Sequence, residues 1–166
     1  MNRRCAIQKI ILTSGAIATL THCGSSDAKF PNLLIDRDEN ILINEISKCI
    51  LSVNEKDFYT IDSRINFILT MINDCYRESD ISKYLLGLEQ FKLLINQKTN
   101  LSFEKLPAEE KIKHIEFSID SDKEVGFFIN TIKQLSLRHF MTSENYMKTY
   151  LKFEFMPNRY LGRVKL

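Results

Sequence analysis

Apolar residues recur at helical spacing through most of this chain, and polar breaks divide the recurrence into five or six segments. The first segment starts at Asp36, with Glu39 three residues on, the spacing of a capping box. Its apolar face is Ile41, Leu42, Ile46, Cys49 and Ile50. Residues 52–60 are polar and predict a loop. Ile61, Ile65, Ile68, Leu69 and Ile72 then predict a second helix over about 61–76. A third opens at Ser79 or Asp80 and turns Tyr84, Leu85, Leu88, Phe91, Leu94 and Ile95 inward. Residues 98–106 form a connection. Pro107 stands at the first turn of a fourth helix, with Glu109 and Glu110 near the positive end of its dipole.

Ser121 and Glu124 have the spacing of a second capping box, and the most apolar stripe follows: Val125, Phe128, Ile129, Ile132, Leu135 and Phe140. Thr142, Ser143 and Glu144 break that helix and cap a short one bearing Tyr146, Met147 and Tyr150. The tail contains Pro157 and Gly162 and has no helical period. The expected architecture is all-α: a single bundle of five or six helices over 36–151, with an extended C-terminal arm over 152–166.

The N-terminus breaks the helical pattern differently. Residues 1–9 are basic and free of acids, and residues 10–20 form an apolar block rather than a stripe. The block is shorter than the ~20 residues that span a bilayer. Residues 1–23 therefore predict an export signal, and 24–35 a linker ending in an apolar entry. Arg3 and Arg4 resemble a twin-arginine signal, with Ile7 and Lys9 in support and Ala6 where a bulkier residue is usual. A general secretory signal is the alternative. Leu20-Thr21-His22-Cys23 resembles a lipoprotein signal, with Cys23 as the acylated residue and His22 as a departure. Such a lipid would tether the chain to a membrane surface without spanning it.

Charge changes once this segment is set aside. The full chain of 166 residues has a formal net charge of +2. Without Arg3, Arg4 and Lys9 there remain 20 basic and 21 acidic residues, close to neutral. That balance lacks the basic excess of a nucleic-acid binder. Five glycines and three prolines are few for a fold of many tight turns.

Local motifs for chemistry are sparse. There is no CxxC or CxxCH, no glycine-rich phosphate loop and no GxSxG elbow. His114 and His139 have no second histidine or cysteine one helical turn away, so local sequence offers no metal site. No catalytic, cofactor-binding or metal-ligating residue is assigned. Cys49 and Cys75 fall near the ends of successive helices; antiparallel packing separates those ends by roughly 15 Å at 1.5 Å per residue, beyond disulfide reach. Two separate buried thiols are expected. Aromatic residues crowd the last 40 positions, and the arm carries Phe153, Phe155, Met156 and Tyr160 without a helical pattern. Such an arm either wraps its own bundle or docks on a partner, where aromatics, Met and Arg are enriched.

The run Leu135, Leu137, Phe140, Thr142, Ser143, Glu144, Tyr150, Pro157, Arg159, Tyr160 and Gly162 resembles the gluconate 2-dehydrogenase subunit 3 family. Asn73-Asp74-Cys75-Tyr76 and Leu86-Gly87-Leu88 fit as well. Asn158 stands where glycine is usual in the family, and Arg163 where cysteine is common. The resemblance implies a non-catalytic small subunit of a periplasmic sugar or polyol dehydrogenase. It implies a large flavoprotein partner of the glucose–methanol–choline type that holds FAD, with a cytochrome c subunit as a further candidate partner and no cofactor in this chain. It also implies support of export, folding and stability of the large subunit, in the periplasm of a Gram-negative bacterium. The expected partner interface is Phe140, Thr142, Ser143, Glu144, Phe155, Met156, Pro157, Arg159 and Tyr160. The alternative function is a stand-alone periplasmic lipoprotein that binds a ligand or an envelope protein.

Overall fold

A computed structural model describes residues 30–53, 58–99, 101–154 and 156. Arg3, Arg4 and Cys23, and with them the export and lipidation expectations, lie outside the described residues. The body that begins at Asn32 is helical throughout, with no strand among the described residues. Its elements are α1 (Arg37–Ile50), α2 (Arg64–Cys75), α3 (Glu78–Thr99), a single 3-10 turn (Phe103–Lys105), α4 (Ala108–Ser121), α5 (Lys123–Met141) and α6 (Glu144–Thr149).

Each start has a local chemical cause. Asp36 and Glu39 form the reciprocal box ahead of α1: the Glu39 amide donates to Asp36 at 2.7 Å, and the Asp36 amide to Glu39 at 3.0 Å. Ser63 caps α2 by accepting from the Asn66 amide. This shortens the second helix relative to the expected 61–76 and leaves Ile61 outside it, in solvent. Pro107 precedes α4, as its missing N–H and fixed φ favour. Asp122 caps α5 by accepting from Glu124 and Val125, so the cap is Asp122 and not Ser121, which ends α4. Those amides hold the Asp122 carboxyl below its ordinary pKa. Ser143 caps α6.

Helix α5 packs against each of the other five helices. Val125, Phe128, Ile129, Ile132 and Leu135 are buried along it, with Thr131, Ser136 and His139 buried beside them. The buried positions form one broad face, while Lys133, Gln134, Leu137 and Arg138 are exposed on the other; the width of that buried face is why this stripe is the strongest in the sequence. Around it stand Ile43 and Ile46 from α1, Ile68, Leu69 and Ile72 from α2, and Tyr84, Leu88 and Phe91 from α3, all fully buried. Phe128 lies 5.0 Å from Tyr84 and 5.9 Å from Phe91 between ring centroids. Gly87 lets the α3 backbone approach the first turn of α5; a Cβ there would stand 2.2 Å from the Glu124 carbonyl oxygen.

Three polar ties lock the periphery. Arg64 is buried and donates to the carbonyls of Ser47 and Leu51 at 3.2 and 2.9 Å, closing the C-terminal end of α1 from the start of α2. Lys111 on α4 is buried and pairs with Glu45 on α1 at 3.0 Å, which pulls the Glu45 carboxyl below its ordinary pKa. Asn32 donates two hydrogen bonds to Asn73, from its amide to Oδ1 at 2.9 Å and from its side chain to the carbonyl at 3.1 Å, and Leu33 is buried. The end of the stretch read as a linker is thus part of the folded body. Cys49 and Cys75 are both free, as the helix geometry implied; Cys49 is half-buried, however, and Cys75 is exposed rather than buried. Burial pushes the Cys49 thiol pKa up.

Candidate functional site

Two sequence-distant stretches meet at the C-terminal end of α5. The first is the loop ahead of α2, of which Phe58–Ser63 are described; the second runs from His139 through α6. His139 joins them. Its Nε2 lies 2.8 Å from Thr60 Oγ1 and 2.9 Å from the Asp62 carbonyl oxygen. The carbonyl can only accept, so Nε2 carries the proton. The Thr60 hydroxyl donates to the same Asp62 oxygen at 2.8 Å, and the His139 ring stands 5.2 Å from that of Phe67. The isolated histidine of the sequence is therefore a buried tie between α5 and the loop.

An aromatic ladder runs outward from this tie. Phe58 meets Phe140 at a tilt with ring centroids 4.6 Å apart, Phe140 meets Tyr146 edge-on at 5.0 Å, and Tyr146 stacks on Tyr150 at 5.2 Å. Beyond Tyr150 the chain bends back: the Phe153 amide donates to Met147 O at 3.0 Å, and Lys152 and Met156 take left-handed backbone conformations, with φ of 52° and 51°. The described start of the arm is non-helical, as expected, but turned rather than simply extended. Tyr150, Leu151, Phe153 and Met156 all remain exposed, and Met156 is 76% exposed. Tyr59 and Ile61 are exposed on the loop, at 72% and 94%.

Among the residues expected at an interface, Phe140 is half-buried in the ladder, while Thr142, Glu144 and Met156 are exposed. Glu144 pairs with Lys148 one turn on, and this lowers its carboxyl pKa. Ser143 is fully buried: its hydroxyl donates to Phe140 O at 2.7 Å and accepts from the Tyr146 amide, so its role is to hold the corner's shape. Phe155, Pro157, Arg159 and Tyr160 lie outside the described residues. The loop residues Tyr59, Thr60 and Ile61 were missed by the sequence reading. The available signal was Ser63, a strong N-cap three residues before Asn66, which ends the loop and frees Ile61 from the helix.

A cleft of about 330 Å³ lies between the loop and the α5–α6 corner, lined by Tyr59–Asp62, Phe67, His139, Thr142 and Glu144. Among the described residues no group of three His, Cys, Asp or Glu side chains converges as a metal site. No described helix is long and apolar enough to cross a membrane.

A family model for gluconate 2-dehydrogenase subunit 3 matches residues 62–157, more than half of the chain and all of the α5–α6 corner. No curated protein and no solved structure matches it. The chain belongs to the gluconate 2-dehydrogenase subunit 3 family, which makes it one subunit of a multi-subunit dehydrogenase.

Proposed function

We propose that this chain is the non-catalytic small subunit of a periplasmic FAD-dependent sugar or polyol dehydrogenase. In this reading it supports export, folding and stability of a flavoprotein subunit of the glucose–methanol–choline type. Family membership over residues 62–157 carries the reading. The surface supports it: a rigid helical body ends in a corner that leaves Tyr150, Leu151, Phe153 and Met156 in solvent. Exposed apolar groups gathered at one place mark an interaction surface. Substrate oxidation and FAD belong to the large subunit, with a cytochrome c subunit as the onward electron carrier. Arg3 and Arg4 supply a twin-arginine address for a partner that takes up FAD before export, and Cys23 supplies a lipid anchor at the membrane surface.

The test is deletion and complementation in the source organism. Without the small subunit, periplasmic flavoprotein and its bound FAD should fall together. The intact gene should restore both, and a variant with Arg3→Lys and Arg4→Lys should restore neither. Normal amounts of FAD-loaded flavoprotein in the periplasm of the deletion strain would refute the reading.

A further inference from the structure

Ile61 is the least explained apolar residue of the corner. Its neighbours Thr60 and Asp62 are both tied inward to His139, and the loop is also held by Phe58 against Phe140. The residue between them is nevertheless 94% exposed. Ile61 thus contributes almost nothing to the core, although the backbone around it is fixed. An apolar side chain on a backbone already held in one place loses less entropy on binding than one on a free loop, which is the property of an interface anchor. Tyr59, 72% exposed on the same loop, adds a residue type favoured at hot spots.

The cleft beside this loop has a definite electrostatic character. Its lining includes Phe67, Thr60 and Thr142, and its acids are Asp62 and Glu144, of which Glu144 is paired with Lys148 one helical turn on. No lysine or arginine among the described residues lines it. The surface is also continuous with the exposed residues after α6 through the ladder Phe58–Phe140–Tyr146–Tyr150. We infer that this cleft receives an otherwise apolar segment of the large subunit that carries a lysine or arginine, while Ile61 and Tyr59 seat against that subunit in return. The inference rests on the reading of this chain as a small subunit and adds the Tyr59–Asp62 loop as the second wall of its interface. The cation would face Asp62 and share Glu144 with Lys148, and its apolar neighbours would cover Phe67 and Ile61. Charges placed so steer association and fix register, and make binding sensitive to salt.

The experiment uses the full chain co-expressed with the flavoprotein subunit of its source organism, with affinity and co-eluting flavin measured. Ile61→Asp and Asp62→Lys should each weaken capture at least about tenfold, with the melting temperature of the isolated chain unchanged, because both side chains are exposed. Asp62→Asn combined with Glu144→Gln should flatten the salt dependence of binding. A photocrosslinking residue at position 61 should form an adduct with the large subunit, and its mapped peptide should contain a lysine or arginine among apolar residues. Wild-type affinity in Ile61→Asp and Asp62→Lys would overturn the inference, as would an adduct joining two copies of this chain. Failure of the unmodified chain to hold the flavoprotein at all would instead refute the subunit reading, and the inference with it.

Discussion

Replacing Gly87 by alanine adds one methyl group where α3 meets the first turn of α5. The new Cβ would lie 2.2 Å from the Glu124 carbonyl oxygen, 2.8 Å from its carbon and 2.8 Å from Phe128 Cβ. A relaxed carbon–oxygen contact is about 3.3 Å or more, so the two helices must part by roughly 1 Å. The obstructing atoms are mostly backbone, which cannot rotate away as a side-chain end does. Alanine gains about 1 kcal/mol over glycine in a helix interior, against about 1–3 kcal/mol for overpacking a well-filled core. Parting α3 from α5 also strains the contacts of Tyr84 and Phe91 with Phe128, which puts the cost at the upper end. The net expectation is a loss of about 1–2 kcal/mol, or roughly 4–8 °C in melting temperature for a domain of this size. Circular dichroism melts at 222 nm read this directly, with Glu89→Ala, exposed on the same helix, as the control for propensity alone. If Gly87→Ala melts at or above the wild type, the helices yield without penalty and the close-approach argument is wrong.

Further outcomes follow from the polar ties and the two thiols. Glu45→Gln should cost about 1–2 kcal/mol, less than breaking a fully buried pair because Glu45 keeps some solvent. The Glu45 carboxyl is lowered from an ordinary value of 4.5 chiefly by Lys111, so its contribution is complete above that value and lost as pH falls through the lower folded one; between pH 6 and 3 the wild type should lose more melting temperature than Glu45→Gln. Arg64→Ala removes donors from two carbonyls at the end of α1 and should destabilise by about 2 kcal/mol in urea unfolding, a loss under about 0.5 kcal/mol being inconsistent with a capping role. Cys75, exposed, should alkylate with iodoacetamide well before Cys49, whose thiol pKa is raised by burial, and peptide mass spectrometry after a short exposure at pH 8 would expose the reverse order.

What the sequence made legible depended on how local the cause was. The Asp36–Glu39 box involves atoms three residues apart, and it formed as read. The apolar stripe of α5 was strong because that helix meets all five others along one broad face, so pattern and burial agree. Errors arose where two local signals competed. Ile61 fits the helical spacing of Ile65, Ile68 and Ile72, but the Ser63 cap wins: its oxygen accepts from the Asn66 amide, so the helix starts only at Arg64. Ser121 and Asp122 both suit a cap, and the aspartate takes it while Ser121 bonds back to the Ser118 carbonyl of α4. The burial of Cys75 was overestimated from its neighbours: it follows Asn73 and Asp74 at the end of α2, where the buried face has already turned away.

The site was legible only on one side, and the reason lies in sequence distance. Phe140, Thr142 and Glu144 sit within one turn of each other, and a break in a helical pattern marks them. Thr60 and His139 are 79 residues apart, and no period or spacing connects them. Seen alone, His139 is an unremarkable histidine and Thr60 an ordinary loop residue. Folding makes them one unit because α2 and α5 pack together, which brings the loop ahead of α2 to the end of α5. Phe140 then serves both walls, in contact with Phe58 of the loop and with Tyr146 of α6. The shape of the corner is therefore set by long-range packing, while its chemistry is written in short segments. A surface of this kind can be rigid although its outermost apolar side chains touch little, because the loop and the short helix are fixed through the half-buried members of the ladder rather than through the exposed ones.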